Sequence, residues 1–145
     1  MALIYRGFVT RDTRILQKAY ITYVRPILDY CSHVWSPMYI KHIDAIEKVQ
    51  KRFTKRLPRM QGLSYLERLA ILGWDSLELR RLKSDLCLYH TIYIQQSSIG
   101  RAEYFQLNPC LHTTRSANEC NFVKPFCRCN VLQNSFFVRQ IDAWN

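Results

Sequence analysis

Acidic residues are in short supply in this chain. There are 11 Asp and Glu against 21 Lys and Arg, giving a formal net charge of +10 and a pI near 9.6. That imbalance points to a polyanionic partner, nucleic acid first and an acidic membrane surface second. A basic protein with no such partner is the plain alternative. Glycine is scarce too, at 4 residues, and no glycine-rich phosphate loop occurs. Nucleotide sites built on such a loop are therefore excluded. No apolar run reaches the length of a membrane span, and the short one in "MALIYRGFV" is broken by Arg6, unlike a signal peptide. Internal repeats and low-complexity tracts are missing as well. Six cysteines in 145 residues do not make a disulfide framework. Cys31 and Cys87 fall in apolar helical contexts, where a reduced thiol acts as a small hydrophobe. A reducing intracellular compartment is the expectation.

What the chain does have is apolar and aromatic content, 48% and 13%, enough for one mainly helical domain with a modest core. Its charge is concentrated in "DAIEKVQKRFTKRLPRM", residues 44–60, with six cations and two acids. On a helical wheel Lys48, Lys51, Arg52, Lys55, Arg56 and Arg59 follow i, i+3, i+4, i+7, i+8 and i+11, which is one face. Ile43, Ile46, Val49, Gln50, Phe53 and Leu57 take the opposite side. One side is expected to bury while the other presents positive charge. Arg59 is the weakest member, because Pro58 ends the helix before it.

Coarse punctuation follows from capping and proline rules. Asp12 caps a helix carrying Leu16, Tyr20 and Tyr23 on one side. Pro26 suits the first turn of a new helix through Leu28, Cys31 and Trp35, closed by Ser36-Pro37. The basic helix runs from about Tyr39 to Leu57. Ser64 and Glu67 have capping-box spacing, and Gly73 supplies the left-handed end of a short helix. A longer helix starts near Asp75 or Ser76, with Leu79, Leu82, Leu86, Tyr89 and Tyr93 as its buried stripe. Ser97, Ser98 and Gly100 read as a linker, and residues 101–121 show no period. "NFVKPF" reads as a short edge strand weakened by Pro125, and Asn134 or Ser135 caps a last amphipathic turn through Phe137, Ile141 and Trp144.

Four blocks in this order and spacing carry a family resemblance: "YVRPILDYCSHVWSP", "IDAIEKVQKRFTKRLP", "LSYLERLAILGWDSLELRRLKSDL" and "NSFFVRQIDAWN". Together they resemble the C-terminal segment of a non-LTR, LINE-type (jockey-like) retrotransposon reverse transcriptase. The matching positions include Arg25-Pro26, Tyr30-Cys31, Trp35-Ser36-Pro37, Glu47-Lys48-Val49-Gln50, Leu72-Gly73 and Arg80-Arg81. The resemblance implies a helical, thumb-like domain over residues 1–97 and an irregular C-terminal extension over 98–145. It implies a role in gripping RNA or an RNA–DNA duplex, for which the cationic face of Lys48, Lys51, Arg52, Lys55, Arg56 and Arg59 read from the helical spacing supplies the candidate contacts. The family's polymerase holds Mg²⁺ on palm carboxylates, and this sequence has no Asp-Asp pair. The expectation is therefore a partial copy without palm or endonuclease, inactive alone, needing no cofactor or small-molecule substrate. Its partners would be RNA, an RNA–DNA duplex and the missing palm, not a membrane. It would occupy cytoplasm and nucleus as a ribonucleoprotein.

Other chemistry is weaker. Cys110, His112, Cys120, Cys127 and Cys129 do not have a standard zinc spacing and read as incidental loop residues. Cys87 and His90, at i and i+3, read as core packing rather than a catalytic pair. His33 and His42 have no recognisable partners. Arg25 and Asp29 suit a surface ion pair, and Tyr20, Tyr23 and Tyr30 suit the core better than base stacking. Two other readings stay open: a basic helical module docking on an acidic protein or membrane surface, and an inert pseudogene product.

Overall fold

Asp12 opens the first long helix, where its carboxylate accepts a hydrogen bond from the Arg14 amide at 2.8 Å. This helix, α2 (Thr13–Tyr23), follows a short α1 (Ala2–Gly7). The computed structural model describes residues 2–7, 12–94 and 122–145, and among these every regular element is a helix. The mainly α architecture is as the sequence predicts. Val24 closes α2 and starts α3 (Arg25–Asp29), whose first turn tolerates Pro26 because an N–H there would have no acceptor within the helix, so the one proline lacks is not missed.

The single helix expected through Leu28, Cys31 and Trp35 is broken. Tyr30 turns extended (ψ 125°) and Cys31 adopts a left-handed φ of 50°, so a separate α4 (Ser32–Trp35) begins. The Trp35 indole bridges the break by donating to the Tyr30 carbonyl at 2.6 Å. Cys31 is exposed, not a buried hydrophobe. Of the three tyrosines expected inside, only Tyr20 is buried. Tyr23 and Tyr30 lie largely in solvent.

α5 runs Ile40–Lys55, and Arg56 ends it by donating its N–H to the Phe53 and Thr54 carbonyls. It is shorter than the Tyr39–Leu57 span expected. Its buried line is Glu47, Gln50, Phe53 and Thr54, while Ile43, Ile46 and Val49 are only half-buried. α6 (Tyr65–Leu72) has the expected capping box and Gly73 at φ 63°. α7 (Leu77–Tyr93) starts with the Ser76 hydroxyl accepting from the Leu79 amide at 3.2 Å.

The chain forms two compact units, Met1–Arg81 and Leu82–Asn145, which divide within α7. The expected linker around Ser97 lies outside the described residues. In the first unit Leu16, Ala19, Tyr20, Phe53, Leu57 and Met60 form the core, with Trp74 packed against it. Tyr20 stacks between Phe53 at 4.4 Å and Trp74 at 5.1 Å. The Arg25 guanidinium lies 4.7 Å from the Trp74 ring centre, a cation–π contact. Arg25 is therefore not the ion-pair partner of Asp29. Asp29 accepts instead from Arg80 at 2.7 Å.

The second unit has Tyr89, Ile92, Phe122 and Ile141 as its core, with Tyr93 and Trp144 against them. It contains α8 (Asn130–Gln133) and α9 (Phe136–Trp144). The Tyr89–Phe122 and Tyr93–Phe122 ring pairs are edge-to-face, each with centres 5.6 Å apart, the geometry that ring quadrupoles favour. Of the expected strand at "NFVKPF", Phe122 makes a single bridge, residues 123–127 have no regular structure, and Asn121 lies outside the described residues. The Asn145 side-chain amide also bonds both backbone groups of Phe122, each at 3.0 Å. Ser135 precedes α9 but makes no side-chain cap; its hydroxyl donates to the Leu132 carbonyl.

The buried stripe of α7 also differs from the one expected. Leu79 and Leu82 are 40% and 39% exposed, whereas Leu77, Arg81, Asp85, Tyr89 and Ile92 are buried. Leu86 and Tyr93 are intermediate. Cys87 and His90 are exposed, not core, although the His90 ring lies 6.1 Å from Trp144. The leucine pattern misleads because charged residues hold the inward positions.

Candidate nucleic-acid interface

The inner face of α5 fixes what its outer face can present. Gln50 is fully buried and spends its whole amide: it accepts from the Tyr20 hydroxyl at 3.2 Å and donates to Tyr65 at 3.1 Å and the Asp75 carbonyl at 3.0 Å. Glu47, one turn earlier, accepts from the Tyr65 hydroxyl and from the Leu77 amide at 3.1 and 3.2 Å. A carboxylate from one helix thereby caps the N-terminus of another, where the helix dipole favours negative charge. Thr54 accepts from Arg68 at 3.2 Å on the same side. These bonds, with Phe53, lock the rotation of α5. The opposite side must face solvent.

The network also sets a pH response. Burial raises the Tyr20 and Tyr65 phenols above the ordinary value near 10, and the hydrogen bond to Glu47 adds to the shift at Tyr65. Burial pushes Tyr89 up to about 12. Raised folded-state values favour the neutral phenol, so their contribution is complete below pH 10 and is lost as pH rises through the folded-state values. Stability should thus be flat through neutral pH and fall above pH 10, with tyrosinate absorbance lagging behind that of free tyrosine. Urea midpoints measured from pH 8 to 12 check this, and full titration of every tyrosine near 10 with no loss of stability would contradict it.

The six predicted contacts are all on or next to α5, but the structure does not keep them as one strip. Lys48, Arg52 and Lys55 are exposed and directed away from the buried line. Lys51 is half-buried, 5.3 Å from the Tyr65 ring centre and 3.6 Å from the Asp44 carboxylate. Asp44 itself lies on the charged side and interrupts it. Arg56 follows the last helical residue and lies over the Tyr5 ring, 5.9 Å from its centre. Arg59 has left the helix entirely and holds a left-handed φ of 64°, exposed in solvent.

One residue was missed. Lys41 is exposed on α5, seven positions before Lys48. Lys41, Lys48, Arg52 and Lys55 then follow i, i+7, i+11 and i+14, a straighter line than the predicted six. The same spacing rule, carried one heptad upstream, would have found it. The line rises about 21 Å along the helix, and a nucleic-acid strand carries a phosphate every ~3.4 Å of duplex axis. Arginine adds paired donors suited to phosphate oxygens, and lysine a mobile point charge.

Comparison with family models, curated proteins and solved structures finds no match for this chain. Among the described residues no three or more His, Cys, Asp and Glu come together as a metal site. Cys127 and Cys129 are free thiols, and Cys110, His112 and Cys120 lie outside the described residues. No described helix is long and apolar enough to cross a membrane.

Proposed function

We propose that this chain binds RNA or an RNA–DNA duplex through backbone phosphates, without reading sequence, as the thumb-like segment of a LINE-type reverse transcriptase. Catalysis would belong to a palm carrying the metal-binding carboxylates. The observation that supports this best is the line Lys41, Lys48, Arg52 and Lys55, held outward by the buried bonds of Glu47 and Gln50 on the other side of α5.

The test is the salt dependence of binding. Each phosphate neutralised releases condensed counterions, so log K falls with log salt by about 0.9 per contact on a duplex of B-DNA charge density. Replacing Lys41, Lys48, Arg52 and Lys55 with Gln keeps helix propensity nearly intact. That variant should flatten the slope by about 3.6 and weaken every duplex alike. Removing the exposed cations Arg14, Lys18, Lys83 and Arg128 is the control for net charge. Equal losses in the two variants would reduce α5 to a solvated surface.

A second reading has one observation in its favour. Ile27, Tyr30, Val34 and Ile40 are each at least three-quarters exposed, an apolar display suited to a protein partner. Binding that survives high salt and both sets of charge changes would favour it.

A further inference from the structure

An open groove of about 720 Å³ lies beside the end of α5, lined among the described residues by Tyr5, Lys55, Arg56 and Gln61. We infer that it takes one unpaired nucleotide, with the phosphate at Lys55 and Arg56 and the base at Tyr5 and Gln61. The inference rests on the phosphate reading of the same helix, since Lys55 belongs to both.

Each wall residue has a separate reason. Tyr5 is pinned by its hydroxyl, which donates to the Phe53 carbonyl at 3.0 Å, and by its ring contact with Phe53 at 5.8 Å. Its ring is thus a fixed platform tied to the core. Arg56 lies over that ring, so a base entering here takes the guanidinium's place on the aromatic face while the guanidinium turns to the phosphate. The side chains of Lys55, Arg56 and Gln61 have no hydrogen-bond or carboxylate partner among the described residues, and all three are exposed. Two cations suit one phosphate, and a guanidinium can grip it with paired donors. A glutamine amide offers a donor and an acceptor in one plane, matching the edge of a base. An aromatic face accepts any base by stacking.

That combination selects among ligands. A carboxylate peptide would use the cations and leave the tyrosine and amide idle. A base inside a duplex already has its edge paired and its faces stacked, so it cannot reach the ring. An unpaired nucleotide satisfies all four side chains. The volume falls within the range of roughly 300–1,000 Å³ common to small-molecule sites.

The test uses the full chain with two probes: a blunt RNA–DNA duplex, and the same duplex carrying a short single-stranded overhang that contains 2-aminopurine. The overhang should add affinity and change the 2-aminopurine fluorescence on binding. Tyr5→Leu should remove about tenfold of the overhang affinity and leave the blunt duplex unchanged. Gln61→Ala, at an exposed position with no fold to protect, should lower overhang affinity several-fold and level any preference among bases. If Tyr5→Leu fails to fold by circular dichroism, the wild-type comparison and Gln61→Ala decide the matter. Equal affinity for the blunt and overhanging duplexes overturns the inference, as does an overhang gain untouched by Gln61→Ala. Failure of the phosphate reading looks different: blunt binding would ignore changes at Lys41, Lys48 and Arg52, which lie outside the groove, while the overhang gain persisted.

Discussion

Phe53→Ala is expected to destabilise the first unit by about 3–5 kcal/mol, the cost of removing a large aromatic from a core that cannot fully collapse. Phe53 is fully buried and its ring stacks on Tyr20 at 4.4 Å, nearly parallel to Trp74 at 6.1 Å. Truncation would strip one layer from that stack and take away the ring on which Tyr5 rests. Leu82→Ala supplies the contrast. Leucine periodicity makes Leu82 a core residue, whereas the structure leaves it 39% exposed. Its truncation should cost less than about 1 kcal/mol, as for substitutions near the surface. Urea unfolding of the two variants, followed by tryptophan fluorescence, checks the order. A loss at Leu82 equal to that at Phe53 would restore the leucine stripe and refute the structural assignment.

Asp85→Ala should be comparably damaging in the second unit, at about 3–5 kcal/mol, because it removes one partner of a largely buried ion pair. Asp85 is 2% exposed and accepts from Arg139 at 2.9 Å and Gln140 at 2.8 Å. The arginine side chain is itself mostly buried. Removing the acceptor takes from Arg139 and Gln140 the carboxylate that both of them bond. Replacing Asp85 and Arg139 together with leucines should recover much of the loss, since an apolar pair needs no desolvation to be offset. Hydrogen exchange at the α9 amides reads this locally. Protection unchanged by Asp85→Ala would mean that the pair contributes nothing to holding α9.

Much of the local structure was legible because its causes are local. Asp12, Ser64 with Glu67, and Gly73 act through bonds to residues a few positions away, and all three behave as their spacing predicts. The sidedness of α5 was legible for the same reason: cations and apolar residues sort by a fixed 3.6-residue period. So was the mainly helical class. Nothing in the 29–32 stretch marks the break between α3 and α4, because no glycine or proline occupies Tyr30 or Cys31. The register of that turn depends on the Trp35 indole finding the Tyr30 carbonyl.

Tertiary structure decided which polar residues go inside. Glu47, Arg68 and Asp85 read as surface residues by type, and each is buried because a partner from elsewhere in the chain meets it. Those partners lie 14 to 55 residues away, beyond any helical period. The same long-range bonds set the rotation of α5, bringing Lys41 into line and turning Lys51 aside. Period alone fixes which residues share a face, because it depends only on the geometry of one helix. Which face turns inward, and by how much, depends on where buried donors and acceptors find each other across the fold, since an unmatched buried polar group costs more than an imperfect apolar contact.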